Sequence, residues 1–233
     1  MLNINTGLSV SSLNRLQTRD LNETEIYDFA DILKQADEGT NSSKAFLKSL
    51  TADELQLVKK ANSLASTINV DSLSAEGAQN LLSQPDGSDL VDLNNDGIVE
   101  IGESRSIHFP PVNAPLHIKT AWNKATEGMD WAEKASMELT LHSMVYGSNI
   151  NGSGTKNALP PQEQWNKTNI DALSEYANSN LKFRVNLEGW TNYNKQLREV
   201  YDSFFTSILE HNTNASLVQN TTASSSDLSL FKE

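Results

Sequence analysis

Asp92-Leu93-Asn94-Asn95-Asp96-Gly97-Ile98-Val99-Glu100-Ile101-Gly102-Glu103 divides the chain into two stretches of helical periodicity. Its first half is turn-forming: Asn and Asp side chains fold back on their own backbone, and Gly97 tolerates a sharp bend. Upstream lies Gln84-Pro85-Asp86-Gly87-Ser88, a breaker that leaves no room for a full helix entering the segment. Downstream, residues 104–109 are few and stop at Pro110-Pro111, enough for a turn or two of helix or a short strand. The fold class that follows is mainly α, with a central polar loop and space for a short β pairing beside it.

On the N-terminal side, Asn22 and Glu25 form a capping-box pair ahead of Ile26, Phe29, Ala30 and Leu33. Gly39 to Ser43 is a break, and residues 45–50 begin a second helical region. Thr51 and Glu54 repeat the capping pattern before Leu55, Val58, Ala61, Leu64 and Ala65, and Ser74 caps a short helix carrying Ala78, Leu81 and Leu82. Beyond Pro111, Asn113 and Pro115 open a helix with Ile118, Ala121, Trp122, Ala125 and Met129 on its buried face. Asp130 and Glu133 cap the next, which carries Ala135, Leu139 and Met144 to about Tyr146. Residues 147–162 read as a long loop. Two helices follow, near 170–181 and 190–211, the second with a broad stripe from Trp190 and Tyr193 through Leu197, Val200, Tyr201, Phe204, Phe205 and Ile208. Residues 181–187 (Leu-Lys-Phe-Arg-Val-Asn-Leu) alternate with period 2 and are also compatible with a strand pairing with 98–101 or 105–109. The organisation expected is a polar arm over 1–20, helical segments over 21–84 and 112–211, the loop segment 85–111 between them, and a disordered Ser/Thr/Asn-rich tail over 212–233.

The segment 92–103 fills every constrained position of the pattern D-x-[DN]-x-[DN]-G-x5-E, and so resembles the calcium loop of the EF-hand family. At average residue frequencies a chance match in a chain of this length is about one in a thousand. Calcium is a hard cation that takes six to eight oxygens at roughly 2.3–2.6 Å. The resemblance implies side-chain oxygens from Asp92, Asn94 and Asp96, the backbone carbonyl of Ile98, Glu100 directly or through water, and two oxygens from Glu103. Gly97 takes the sharp turn, and bidentate closure by Glu103 favours Ca2+ over Mg2+. The resemblance covers these twelve residues only. No second loop matches, since Gly147 and Ala158 stand where the near-match at Asn149-Ile150-Asn151-Gly152 needs carboxylates. The flanking helix pair that a calcium sensor opens is not foreseen.

Charge and composition narrow the field. The 18 basic and 30 acidic residues give a formal net charge of −12, which argues against nucleic acid and anionic membrane as partners. The chain has no cysteine, excluding disulfides, thiolate zinc sites and cysteine nucleophiles. No apolar run reaches the length of a membrane helix. Residues 1–7 lack the basic and apolar regions of a secretory signal. The acidic, Asn/Ser/Thr-rich composition suits a bacterial protein outside the cell or at its surface by a route without a cleaved signal, with the cytoplasm as the alternative.

Other chemistry-bearing residues read as structural. His108, His117, His142 and His211 show no metal-ligand spacing, Gly152-Ser153-Gly154 lacks the frame of a nucleophile elbow, and Asp37-Glu38 sit at a helix end. Trp122, Trp131, Trp165 and Trp190 are expected in the core rather than along a sugar-binding groove. No catalytic residue is assigned. The reading expected is a calcium-binding protein whose loop has a structural or interaction-stabilising role, with another protein as a possible partner. An enzyme with a cleft between helical halves and a structural calcium ion is one alternative, and a cytosolic calcium sensor another.

Overall fold

The computed structural model describes residues 7–147 and 159–227, with side chains as far as Asn212. Among the described residues it holds ten helices and one two-stranded antiparallel sheet, the mainly α class expected. Two compact units divide the chain, one up to Ile107 and one from His108. The segment 92–103 therefore belongs with the N-terminal helices rather than standing between two halves.

In the first unit α1 (Val10–Thr18) is capped by Ser9, whose hydroxyl accepts the Ser12 amide, and buries Leu16 beside Ile26 and Phe29. The expected loose arm is corrected here: Leu13 and Leu16 lie three residues apart on one face, and that face is covered. Helices α2 (Glu23–Glu38) and α4 (Ala52–Ala61) start at the two capping boxes foreseen, Asn22/Glu25 and Thr51/Glu54. Helix α3 (Ser43–Ser49) packs against α5 (Ala75–Asn80), which in turn packs on β1 (Ile98–Ile101). β1 pairs with β2 (Ser104–Ile107), Ile101 opposite Ser104 and Ile98 opposite Ile107, so only Gly102 and Glu103 form the turn. Gly102 has φ 62°, at the first central position, where a two-residue hairpin turn of this type needs glycine. The exit from the loop is thus a strand.

The second unit comprises α6 (Leu116–Ala125), α7 (Trp131–Tyr146), α8 (Pro161–Gln164), α9 (Lys167–Glu188) and α10 (Asn192–Asp227). Phe109, Trp122, Trp165 and Phe204 meet edge to face at its centre, with Phe109 and Trp122 ring centroids 4.8 Å apart. Pro115, not Asn113, stands at the N-cap of α6. On α7 the buried residues are Met137, Leu141, His142 and Tyr146, while Leu139 is exposed. Apolar residues on several sides of α7 made its face ambiguous.

Residues 181–187 are helical, not a strand. No breaker interrupts the run from Asn166, the cap of α9, to Gly189, and Ala177, Leu181 and Val185 at helical spacing meet the core while Phe183 and Leu187 stay exposed. Helix α10 continues to Asp227, through most of the stretch whose composition predicts a disordered tail; no glycine or proline occurs between Trp190 and Asp227 to stop it. The near-match at 149–152 and the Gly152-Ser153-Gly154 stretch lie outside the described residues. No helix among the described residues is long and apolar enough to cross a membrane.

Candidate metal centre

The segment 92–98 is curled by its own side chains. Asp92 is 7 % exposed; one carboxylate oxygen accepts the Gly97 amide at 2.8 Å and the other the Asp96 amide at 3.1 Å. Asn94 Oδ1 shares the Asp96 amide at 3.0 Å, and its Nδ2 donates to Asp96 Oδ2 at 3.2 Å. Asp96 Oδ1 accepts the Ile98 amide at 2.8 Å. Asn95 (φ 56°) and Gly97 (φ 75°) take the left-handed conformations that this tight path requires, and Asn and Gly are the residue types that tolerate them.

Strand pairing aims the next donor. With Ile101 and Ser104 as the hydrogen-bonded pair beside the turn, Ile98 and Ile107 fall at a non-hydrogen-bonded position. The N–H and C=O of Ile98 therefore face away from β2, the N–H toward Asp96. Asp92, Asn94 and Asp96 thus share one tight turn through the amides they accept, and Ile98 follows it directly in the chain.

Glu100 and Glu103 are not gathered with them. Glu100 Oε1 accepts from Arg105 Nε at 2.8 Å and Nη2 at 2.6 Å, and its Oε2 accepts the Ser74 hydroxyl. Glu103, at the hairpin tip, accepts the Ser72 hydroxyl. Among the described residues no group of three or more His, Asp or Glu side chains converges closely enough to hold a metal ion. The oxygen donors of Asp92, Asn94 and Asp96 are of the hard type that suits a hard cation, while Glu103 is engaged by Ser72.

The electrostatics follow from this packing. Burial raises the Asp92 carboxyl above its ordinary range, and neighbouring Asp96 adds to the effect against the amides that stabilise the charge. Glu76, on α5 and 4 % exposed, is likewise raised by burial and by Asp92 and Glu100, while the amides it accepts pull it down. Glu100 is lowered by the Ser74 hydroxyl and by Arg105.

Sequence reasoning missed the residues of the α5 region that grip this segment. Glu76 Oε2 accepts the Leu93 amide at 2.7 Å and Oε1 the Glu100 amide at 2.8 Å. Asn80 accepts the Val91 amide at 2.9 Å and donates to the carbonyls of Val91 and Glu100, both at 2.8 Å. The Gly77 carbonyl accepts the Gly102 amide at 2.9 Å. The available signal was Glu76 and Asn80 four apart on one face of a short helix whose other face carries Ala78 and Leu81.

The other candidates are dispersed. His117 and His211 stack with centroids 4.3 Å apart and planes 6° from parallel, and His142 is buried beside Tyr146. Trp122 and Trp165 are core residues as expected, whereas Trp131 (85 % exposed) and Trp190 (51 %) are not. Glu38 pairs with Lys34 on an exposed face. No protein-family model, no curated protein and no solved structure matches the chain.

Proposed function

We propose that this is a calcium-binding protein in which Asp92, Asn94, Asp96, Ile98 and Glu103 hold one ion, with Glu100 beside it, and that the ion's role is structural within the first unit. The observation that supports the reading is the tight turn of residues 92–98, in which Asp92, Asn94 and Asp96 curl the backbone with their own oxygens and Asp92 is buried. Burying a carboxylate next to a second one opposes ionisation, and a divalent cation at that point reverses the sign of the effect. Held by Asp92, Asn94, Asp96, the Ile98 carbonyl and Glu103, calcium would supply the positive charge that offsets the clustered carboxylates. The chain's own residues curl the backbone, present oxygen donors and anchor both sides of the loop on α5. A lone loop of this type falls in the weak range of extracellular modules, about 10⁻⁴–10⁻³ M, which suits a calcium-rich compartment.

Calorimetric titration of the chelator-treated full chain with calcium and with magnesium, plus a melting curve at each end point, tests this. Calcium-selective binding is expected, with a stabilisation of about 1.4 kcal/mol at ten times Kd. Asp92→Ala and Glu103→Gln are each expected to abolish it. Absence of calcium heat in the wild-type chain, or unchanged affinity in both variants, overturns the reading.

A further inference from the structure

The free edge of β1 is covered by side chains instead of a strand. Glu100 lies opposite Arg105 at a non-hydrogen-bonded position, so its N–H and C=O point away from β2. An edge like this normally needs a neighbour or water. Here Glu76 accepts the Glu100 N–H at 2.8 Å, and Asn80 donates to the Glu100 C=O at 2.8 Å. The second oxygen of the same Glu76 carboxylate accepts the Leu93 N–H at 2.7 Å. One buried carboxylate thus joins the second residue of the loop to the ninth.

We propose that Glu76 is a positioning residue of the calcium loop: from α5 it ties Leu93 to Glu100, so that the curve of residues 92–98 is built before any ion arrives. This rests on the calcium reading for its purpose, though not for its geometry. Neither oxygen of Glu76 needs to touch the ion. Its carboxylate acts by holding Asp92, between Val91 and Leu93, at a fixed distance from the strand that carries the Ile98 carbonyl. Asn80 reinforces the arrangement by fixing Val91 on the other side of Asp92. The ion then meets a half-built shell and has to recruit only the hairpin-tip carboxylate. Glutamine at position 76 cannot do the same, because its single carbonyl oxygen accepts one N–H while its NH2 opposes the other, donor against donor.

Amide hydrogen exchange on the chelator-treated full chain, wild type and Glu76→Gln, tests the proposal, with calcium chloride titrated into both. In the calcium-free wild type the Leu93 and Glu100 amides are expected to be protected, although neither is donated to β2. In Glu76→Gln at least one of the two exchanges about tenfold faster or more, core amides such as Phe29 keep their protection, and calcium binding weakens about tenfold. Should the variant not fold, the wild-type measurement alone decides: unprotected Leu93 and Glu100 amides without calcium overturn the clamp. Calcium binding that Glu76→Gln leaves unchanged overturns the positioning role. Protected amides in a wild-type chain that takes up no calcium overturn the calcium reading and leave the clamp standing, so the two failures are told apart.

Discussion

Ser72 shows how a single hydroxyl sets the balance at the candidate site. Its Oγ lies within reach of both the Glu103 carboxylate and the Asn69 carbonyl, and one proton serves only one of them at a time. While it serves Glu103, the carboxylate assigned to close the proposed calcium shell is held on another partner. Removing the hydroxyl would therefore free Glu103 for the proposed ion. Ser72→Ala is expected to tighten calcium binding about threefold, measured by the same titration, with little change in calcium-free stability because the residue is exposed. An unchanged or weaker affinity means that Ser72 does not compete. That Asp92, Asn94 and Asp96 share one tight turn was readable from spacing alone, because their side chains curl the backbone through local hydrogen bonds. The partners that occupy Glu100 and Glu103 were not readable. Ser72 and Ser74 lie about thirty residues upstream in sequence, and only the tertiary fold brings them to the hairpin.

The contact that decides the first unit is α5 on the hairpin. Gly77 meets the backbone of Gly102 so closely that a Cβ at position 77 lies 2.2 Å from the Gly102 carbonyl oxygen. The neighbour is backbone, already committed to a tight turn at Gly102, and cannot give as a flexible side chain does. Gly77→Ala is expected to destabilise the unit by about 3 kcal/mol, at the upper end of overpacking costs, despite alanine's better helix propensity. Urea unfolding followed by circular dichroism checks the sign: a stabilised variant means that the two backbones are not held together as described. Local signals located most helices, since Asn22/Glu25, Thr51/Glu54, Ser74 and Asp130/Glu133 cap where their side chains predict. Period alone failed where local patterns conflict. Residues 181–187 alternate like a strand, yet Leu181 and Val185 also stand four apart on a helix with no breaker on either side, and the continuous helix wins. The hairpin was half visible: the Pro110-Pro111 stop bounded its length, but pairing between 98–101 and 104–107 depends on α5 covering the outer edge of β1.

Over the whole molecule, each unit has its own buried apolar cluster, and all four tryptophans lie in the second. Tryptophan emission therefore follows the second unit. That unit holds histidines whose protonation the fold resists: burial lowers His108, and burial together with the stacked His211 ring lowers His117. Nε2 of His117 is buried and takes no hydrogen bond among the described residues, while Lys124 and Glu210 line the cavity beside the stacked pair. A histidine whose folded value lies below its unfolded one, about 6.5, contributes stability that is fully present above that pH and is lost as pH falls through it. The unfolded chain then binds more protons than the folded one. The tryptophan-monitored urea midpoint is accordingly expected to fall between pH 7.5 and 5.5. Glu138, raised by burial, acts in the opposite direction, so the informative quantity is the difference between wild type and a non-titrating variant. His117→Phe keeps a ring against His211 and removes one proton site, and its midpoint is expected to fall less over the same range. An equal fall in both proteins means that the stacked pair does not contribute to the acid sensitivity of the unit.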